Sequence, residues 1–390
     1  MKLKQQPDDF RVEELTRVVP GPAGPFAFYR LEKRGWTTPD ALALLRRRWD
    51  VRPDRLSCGG LKDRHAHTIQ FLTVLRGPRR SLRQQGVAFE YLGQVAEAYA
   101  STDILANRFA VTLRSLSAEE AEGAKREFGV VADEGVPNYF DDQRFGSVTG
   151  PGGEFIARLL VRGRFEEALR LALTAPYEHD RAAQKEEKRV LADCWGRWEE
   201  CKARLPPGHA RSLVEYLRGH PDDFRGAVVR LRPELRGLYL SAYQSHLWNR
   251  MLARLMERLC RPGQLRPLRL RMGALPAHAG LDPGQRRAMA ELTLPLPTAR
   301  LKLAPEDPHA DLIREVIAEE GLELRDLQVR GVRELFFSRG ERAVLCVPQG
   351  ARAAVADDER HRGRRKLVLN FDLPRGAYAT LVVKRITGEE

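Results

Sequence analysis

The hydrophobic pattern of the first 115 residues predicts strands combined with one helix. Residues 26–31 and 68–75 are rich in apolar and β-branched side chains, and residues 109–113 alternate, so each range is predicted to be a strand. A helix is expected to begin at Thr38, taken as the N-cap residue, with Pro39 at the first helical position, and to end near Trp49. This part of the chain therefore predicts a mixed α/β structure.

After residue 115 the pattern becomes helical. Residues 154–175 predict two amphipathic helices separated near Gly163, residues 181–205 are charged and helical in composition, and residues 237–259 predict one long helix. That helix carries an apolar stripe, expected to pack in a core, formed by Leu240, Tyr243, Leu247, Met251 and Leu255. Strands are predicted again near the end of the chain, at residues 341–347, 366–373 and 378–384. The order indicates a sheet domain interrupted by an inserted domain.

The composition gives the chain an excess of positive charge. The 390 residues carry a formal net charge of +13, mostly through arginine, whose planar group pairs well with phosphate. A polyanionic partner and an arginine-rich proteome both explain this excess. The five cysteines are odd in number and have no C-x-x-C spacing, which argues against a disulfide framework or a zinc site and fits a reducing cytoplasm. Neither a signal peptide nor a membrane span is expected, because long apolar runs are missing.

The stretch CGGLKDRHAHTIQFLTV, residues 58–74, holds the strongest candidate chemistry. Two glycines precede Lys62, Asp63 and Arg64, and a predicted strand follows. An aspartate between two cations is expected to stay ionised and can act as a nucleophile or a base. A surface turn with a simple ion pair explains the same residues. His65 and His67 share one face of a strand, but a third ligand for a metal is not near them in sequence.

Five motifs in order carry a resemblance to a known family. GGLKDRHAHTIQ matches the pattern of TruD-type pseudouridine synthases at Gly60, Lys62, Asp63, Ala66, Thr68 and Gln70. The further matches are PDDFRVEE at 7–14, ANRFAVTLR at 106–114, GVPNYFDDQRFG at 135–146 and FDLPRGAYAT at 371–380. Ala106, Asp141 and Ala377 depart from the family pattern without removing a chemical group from the expected mechanism, although Asp141 is expected to alter a loop that meets RNA.

The resemblance implies an enzyme that converts uridine in RNA to pseudouridine without a cofactor or a metal, usually at position 13 of tRNA. Asp63 would be the essential carboxylate, which either attacks C1′ of the ribose or removes a ribose proton. A flipped-out pyrimidine needs a flat apolar face and an amide that reads its edge. By position in the motifs, Phe109 would stack on the base, Phe10 and Phe371 would close the pocket, and Asn107 would bond the base or hold the loop.

Two lysines are expected to bind the substrate as well. The side chain of Lys62 should diverge from that of its neighbour Asp63 in an extended strand, and so contact phosphate. Lys4 is another candidate partner, since relatives have a basic residue there.

The resemblance further implies an α/β (α+β) fold, with the mixed, largely antiparallel central sheet of pseudouridine synthases. The catalytic domain would comprise residues 1–134 and 340–390, and a mostly helical TruD insertion would comprise residues 135–339. The expected partner is tRNA, and a cytoplasmic monomer is the simplest expectation. A non-catalytic RNA-binding protein, a nuclease and a methyltransferase are the alternatives. Asp63 argues against the first, and the sequence has no evident carboxylate cluster or nucleotide-binding loop for the others.

Overall fold

The chain divides into two compact units. The computed structural model describes residues 1–148, 153–177, 180–304 and 306–388. The first unit combines Met1–Val136 with Cys346–Thr387, and the second comprises Pro137–Leu345. No helix in the described part of the chain is long and apolar enough to cross a membrane.

The first stretch of the chain alternates between strands and helices. In chain order its elements are β1 (Phe10–Thr16), β2 (Phe26–Arg34), α1 (Thr38–Trp49), β3 (Leu56–Cys58), β4 (His67–Leu75), β5 (Leu82–Gln84), β6 (Val87–Val95), β7 (Ile104–Leu116), α2 (Ala118–Glu134) and β8 (Val136–Pro137). The three predicted strands are confirmed as parts of β2, β4 and β7. The predicted N-cap of α1 is wrong by one residue, because the side chain of Thr37 accepts the hydrogen bond from the backbone N–H of Asp40.

The second unit is mostly helical. Its elements are α3 (Ile156–Val161), α4 (Phe165–Thr174), α5 (Ala182–Cys194), α6 (Trp198–Arg204), α7 (His209–Gly219), α8 (Phe224–Val229), α9 (Pro233–Leu259), β9 (Leu265–Leu270), β10 (Gly273–His278), α10 (Pro283–Glu291), β11 (Thr293–Pro295), α11 (Ala310–Glu319) and β12 (Glu341–Ala343). The next strand, β13 (Leu345–Cys346), begins at the last residue of this unit and ends in the first unit. The predicted break between α3 and α4 is confirmed, with Gly163 in the left-handed region at φ 74°. The apolar stripe of α9 is buried, so its predicted packing role is also confirmed.

The last stretch completes the first unit with β14 (Gln349–Asp357), β15 (Arg365–Pro374) and α12 (Ala379–Thr387). The prediction of a strand at residues 378–384 is wrong, because most of this range belongs to α12. Its β-branched residues favour a strand, but the buried side chains of Ala379, Val382, Val383 and Ile386 recur at helical spacing. Packing against α2 decides the outcome, and the ion pair between Arg385 and Glu127 joins the two helices.

A nine-stranded sheet forms the centre of the first unit. Its strand order is β14-β15-β7-β1-β4-β2-β6-β5, with β3 paired to β4. β1 and β4 run parallel, whereas β7 pairs antiparallel with both β1 and β15, and β2 pairs antiparallel with both β4 and β6. The predicted mixed, largely antiparallel central sheet is therefore confirmed. Ala41, Leu44 and Leu45 of α1 are buried in a core with Tyr29 and Leu31 of β2.

One pair of cysteines forms a disulfide bond, which the sequence did not predict. Cys194, the last residue of α5, is bonded to Cys201 of α6, with a Cα–Cα distance of 5.5 Å. Both residues are buried in the second unit. The spacing of seven residues has no recognisable motif, and only the turn between two short helices brings the two thiols within bonding distance.

Candidate active site

Strand alternation places five residues of the motifs on one face of the sheet. Phe371 of β15 lies directly opposite Phe109 of β7, and Asn107 of β7 lies opposite Glu14 of β1. Directly opposed residues share a face, as do residues two or four apart along one strand, so Phe10 lies on this face too. The predicted base-binding residues are therefore brought together by the pairing of three strands.

The three phenylalanine rings form a contiguous cluster. The rings of Phe109 and Phe371 are stacked, with centroids 5.6 Å apart, and Phe10 meets Phe109 edge-on at 6.2 Å. Phe128 of α2 packs against the ring of Phe371 at 5.7 Å. The exposed fractions are 4% for Phe10, 6% for Phe109 and 2% for Phe371. The cluster is thus also part of the core beneath α2, a role that the sequence did not separate from base binding.

Asp63 lies in the loop between β3 and β4, where its side chain is 28% exposed. The Lys4 ammonium is 2.8 Å from the Asp63 Oδ2 atom, and it also lies 4.1 Å from the centroid of the Phe10 ring. Lys4 therefore joins the carboxylate to the aromatic cluster. Its backbone adopts φ 56°, which is uncommon for a residue other than glycine.

Polar side chains of α1 and β4 hold the Asp63 loop in place. The hydroxyl of Thr38 accepts a hydrogen bond from the backbone N–H of Lys62 at 3.0 Å and donates one to Gln70 Oε1 at 2.9 Å. The amide of Gln70 donates in turn to the carbonyl of Gly60 at 3.0 Å. At Gly59, a Cβ atom would lie 2.7 Å from the terminal Cδ1 of Ile104, so a larger residue there would require the Ile104 side chain to move.

Lys33 of β2 is a further anchor of the loop, and the sequence did not indicate it. This lysine is 1% exposed, and its ammonium donates hydrogen bonds to three backbone carbonyl oxygens. The acceptors are Trp36 at 2.9 Å, Lys62 at 3.2 Å and Asp63 at 2.8 Å. Burial lowers the pKa of Lys33 to about 8, although the negative charge of Asp63 opposes that shift.

Lys62 points away from Asp63, as expected for its neighbour in sequence, but it is turned into the protein. Its ammonium donates to Asn107 Oδ1 and lies 3.2 Å from Glu14 Oε1, and its side chain is only 13% exposed. The carboxylate of Glu14 has no exposed surface, and its other oxygen accepts the backbone N–H of Phe71 at 3.0 Å. Because the carbonyl of Asn107 is engaged by Lys62, the orientation of its amide group is fixed.

The two histidines of the motif have separate environments. His67 is buried, with one ring nitrogen 2.9 Å from Asp8 and the other 2.8 Å from Glu32. His65 is exposed in the loop. Within residues 1–148, 153–177, 180–304 and 306–388, no group of three or more His, Cys, Asp or Glu side chains is arranged to hold a metal ion.

Comparison with known proteins assigns this chain to a family. The sequence model described as tRNA pseudouridine synthase D (TruD) matches residues 1–266 and 278–386. The chain belongs to the TruD family. Its members are tRNA pseudouridine synthases, which are isomerases, and the match extends through both units of this protein.

Individual relatives match this chain over most of their length. The tRNA pseudouridine synthase D of Aquifex aeolicus is 27% identical over 396 residues, covering 99% of this chain and 98% of the relative. A TruD relative from Methanopyrus kandleri is 31% identical over 378 residues, covering 95% of this chain and 87% of the relative. A crystal structure assigned to TruD, from Methanosarcina mazei, superposes with a TM-score of 0.71 at 27% identity, covering 100% of this chain and 93% of that one.

Proposed function

We propose that this TruD protein isomerises uridine 13 of tRNA and that Asp63 is its catalytic carboxylate. The observation that carries the proposal is the position of Asp63, half-buried and ion-paired with Lys4 beside the ring of Phe10. The adjacent Lys4 ammonium donates a hydrogen bond to this carboxylate, and a carboxylate can attack C1′ or accept a ribose proton. Uridine and pseudouridine are isomers, so either route balances without an oxidant or a reductant.

The aromatic cluster and Asn107 supply the site for the flipped base. In this proposal Phe109 stacks on the uracil, while Phe10 and Phe371 close the pocket around it. Because the three rings are almost fully buried, the base must displace a group that now covers them. The Lys4 ammonium is one such group, since it lies over the ring of Phe10 and 2.8 Å from the Asp63 carboxylate. Base–aromatic stacking contributes roughly 1–3 kcal/mol per base, enough to offset part of the cost of unstacking.

The two lysines have different proposed roles. Lys4 holds the carboxylate of Asp63 by a hydrogen bond and leaves its position over the Phe10 ring when the base enters. Lys62 acts on Asn107 rather than on phosphate, because its ammonium is held inside the protein by Glu14. With its carbonyl occupied by Lys62, Asn107 can direct its NH₂ group at a carbonyl oxygen of the uracil.

We also propose a division of the chain into a catalytic domain and an inserted domain. We assign catalysis to residues 1–134 and 340–390, and we assign residues 135–339 to the TruD insertion. The net charge of +13 supplies the salt-sensitive, sequence-independent part of tRNA affinity. The protein is proposed to act as a monomer in the cytoplasm, without a cofactor.

The decisive test uses two unmodified transcripts of one tRNA, with uridine or cytidine at position 13. The purified protein is incubated with each transcript, and pseudouridine is mapped nucleotide by nucleotide. We expect pseudouridine at position 13 of the first transcript and none in the second. Modification at another position in both transcripts would contradict the assignment of position 13 while leaving the isomerase activity intact.

A further inference from the structure

The buried ammonium of Lys33 contacts the backbone of the residue that carries the proposed catalytic carboxylate. It donates to the carbonyl of Asp63 at 2.8 Å and to that of Lys62 at 3.2 Å. Its third acceptor is the carbonyl of Trp36, in the turn that leads from β2 to α1. A lysine ammonium has three donors and no acceptor, so these three carbonyls use its full capacity.

Burial of the Lys33 ammonium costs free energy of folding, so its presence calls for a specific role. Its side chain is buried in the first unit, and a buried ammonium loses the hydration that stabilises it in water. A stable core would more readily take an apolar residue at such a site. The cost falls on a side chain that ties the backbone of Lys62 and Asp63 to strand β2 of the sheet.

We infer that Lys33 is a positioning residue that holds the Asp63 loop in the geometry needed for pseudouridine formation. The inference rests on the proposed role of Asp63. Lys33 binds the backbone carbonyl of Asp63 and not its carboxylate. It therefore fixes the backbone of Asp63, while Lys4 holds the carboxylate. Thr38 and Gln70 hold the loop at other points through neutral hydrogen bonds. Lys33 is the charged anchor beside Asp63 itself.

The rate of isomerisation should therefore depend on whether Lys33 is protonated. Asp63 raises and Lys62 lowers the pKa of Lys33, while Lys4 and Glu14 pair with those two loop residues. A neutral amine has two donors and a lone pair, so one of the three carbonyls loses its partner once the proton leaves. The rate of isomerisation is expected to fall as the pH rises past about 8, the pKa of Lys33.

The free energy of unfolding should not fall with pH as the rate does. Because the pKa of Lys33 is lowered from 10.5 to about 8 on folding, the unfolded chain binds more protons in that window. This lysine therefore makes the free energy of unfolding rise with pH there, and a loss of rate in the window does not reflect loss of the fold.

The test compares Lys33→Met, which keeps the length of the side chain but removes the charge and the donors, with two other variants. Val74→Ala removes buried volume from the same sheet on β4, outside the loop, and serves as the stability control. Asp63→Asn tests the proposed function in parallel. Single-turnover rates on unmodified tRNA, the Kd for tRNA and the melting temperature are measured for each protein across the pKa of Lys33.

We expect Lys33→Met to lose rate by about 100-fold, the effect of displacing a reacting group by roughly 1 Å, with an unchanged Kd for tRNA. Its rate should also lack the fall near pH 8 that the parent protein and Val74→Ala show. A normal rate in Lys33→Met, or an equal loss in Val74→Ala, overturns the inference. If Asp63→Asn stays active, the proposed function fails. If Asp63→Asn is inactive and Lys33→Met is normal, only the role of Lys33 fails.

Discussion

The ammonium of Lys4 lies 2.8 Å from the carboxylate of Asp63, although 59 residues separate the two in sequence. Lys4 reaches this place with a left-handed backbone, a conformation that costs of order 1–3 kcal/mol and persists only where the surroundings impose it. The surroundings here are reciprocal backbone hydrogen bonds between Lys2 and Arg114, each of 2.9 Å. The N-terminal segment is thereby fixed to β7 and brings a cation to the candidate catalytic carboxylate.

Lys4→Met should lower the single-turnover rate of pseudouridine formation about tenfold, the equivalent of one charge-assisted hydrogen bond of roughly 1.5 kcal/mol. The substitution removes the cation next to Asp63 while keeping an apolar side chain against Phe10. Lys2→Met is the matched control, because it removes an exposed charge from the same segment. Equal rates for the two variants would show that Lys4 contributes only general positive charge.

Glu14→Gln should also slow the reaction by about tenfold, because a buried hydrogen bond to a charged group is worth roughly 1.5–3 kcal/mol. The change leaves Lys62 without its carboxylate partner and loosens the amide of Asn107, so binding of tRNA should change less than turnover. Glu13→Gln provides the comparison, since Glu13 is its neighbour on β1 and points to the opposite face of the sheet. A full rate in Glu14→Gln would show that Glu14 does not contribute to the reaction by orienting Asn107.

Phe109→Leu tests base stacking without emptying the core. It retains apolar volume but loses the flat ring, so the rate should fall by about tenfold or more, in line with roughly 1–3 kcal/mol per stacked base. Phe28→Leu is the control, because Phe28 is equally buried and stacked on Phe71 in another cluster. Similar losses in melting temperature with an unchanged rate in both variants would make Phe109 an ordinary core residue.

Arg114→Met should destabilise the first unit by about 3–5 kcal/mol, because it leaves two buried carboxylates without their cation. The guanidinium of Arg114 pairs with Asp9 at 2.8 Å and with Asp358 at 2.9 Å, and all three side chains are buried. Urea unfolding measures the effect. Arg108→Met, on the same strand but paired with Asp372 at the surface, should cost at most about 1 kcal/mol. Equal losses would contradict the assignment of Arg114 to a buried network.

The fold was predictable where local pattern and tertiary packing agree. The apolar, β-branched run of β4 forms a strand, and the stripe of α9 is buried as its spacing indicates. The prediction failed at residues 378–384, where local preference favours a strand and contact with α2 favours a helix. No local signal announces that contact, because α2 lies about 250 residues earlier in the chain.

The candidate site was predictable only through the resemblance to a family. The motifs supplied Asp63, Asn107 and the phenylalanines, but their sequence could not show that the rings form part of a core. The sequence did not identify Lys33 and Glu14 as site residues. Each contacts a residue of the loop between β3 and β4, and that loop is distant from both in sequence. A lysine in a strand is usually a solvated residue, and only the three carbonyls around it distinguish Lys33.

The role of Asp63 as the catalytic carboxylate is tested by the single-turnover yield of pseudouridine with Asp63→Asn, measured beside the Kd for unmodified tRNA. Asp54→Asn serves as the control, since Asp54 is an exposed carboxylate of the same unit paired with Arg52. We expect no pseudouridine from Asp63→Asn, normal tRNA binding by that variant, and full activity from Asp54→Asn. Pseudouridine formed by Asp63→Asn at the rate of the parent protein would show that Asp63 is not the catalytic carboxylate.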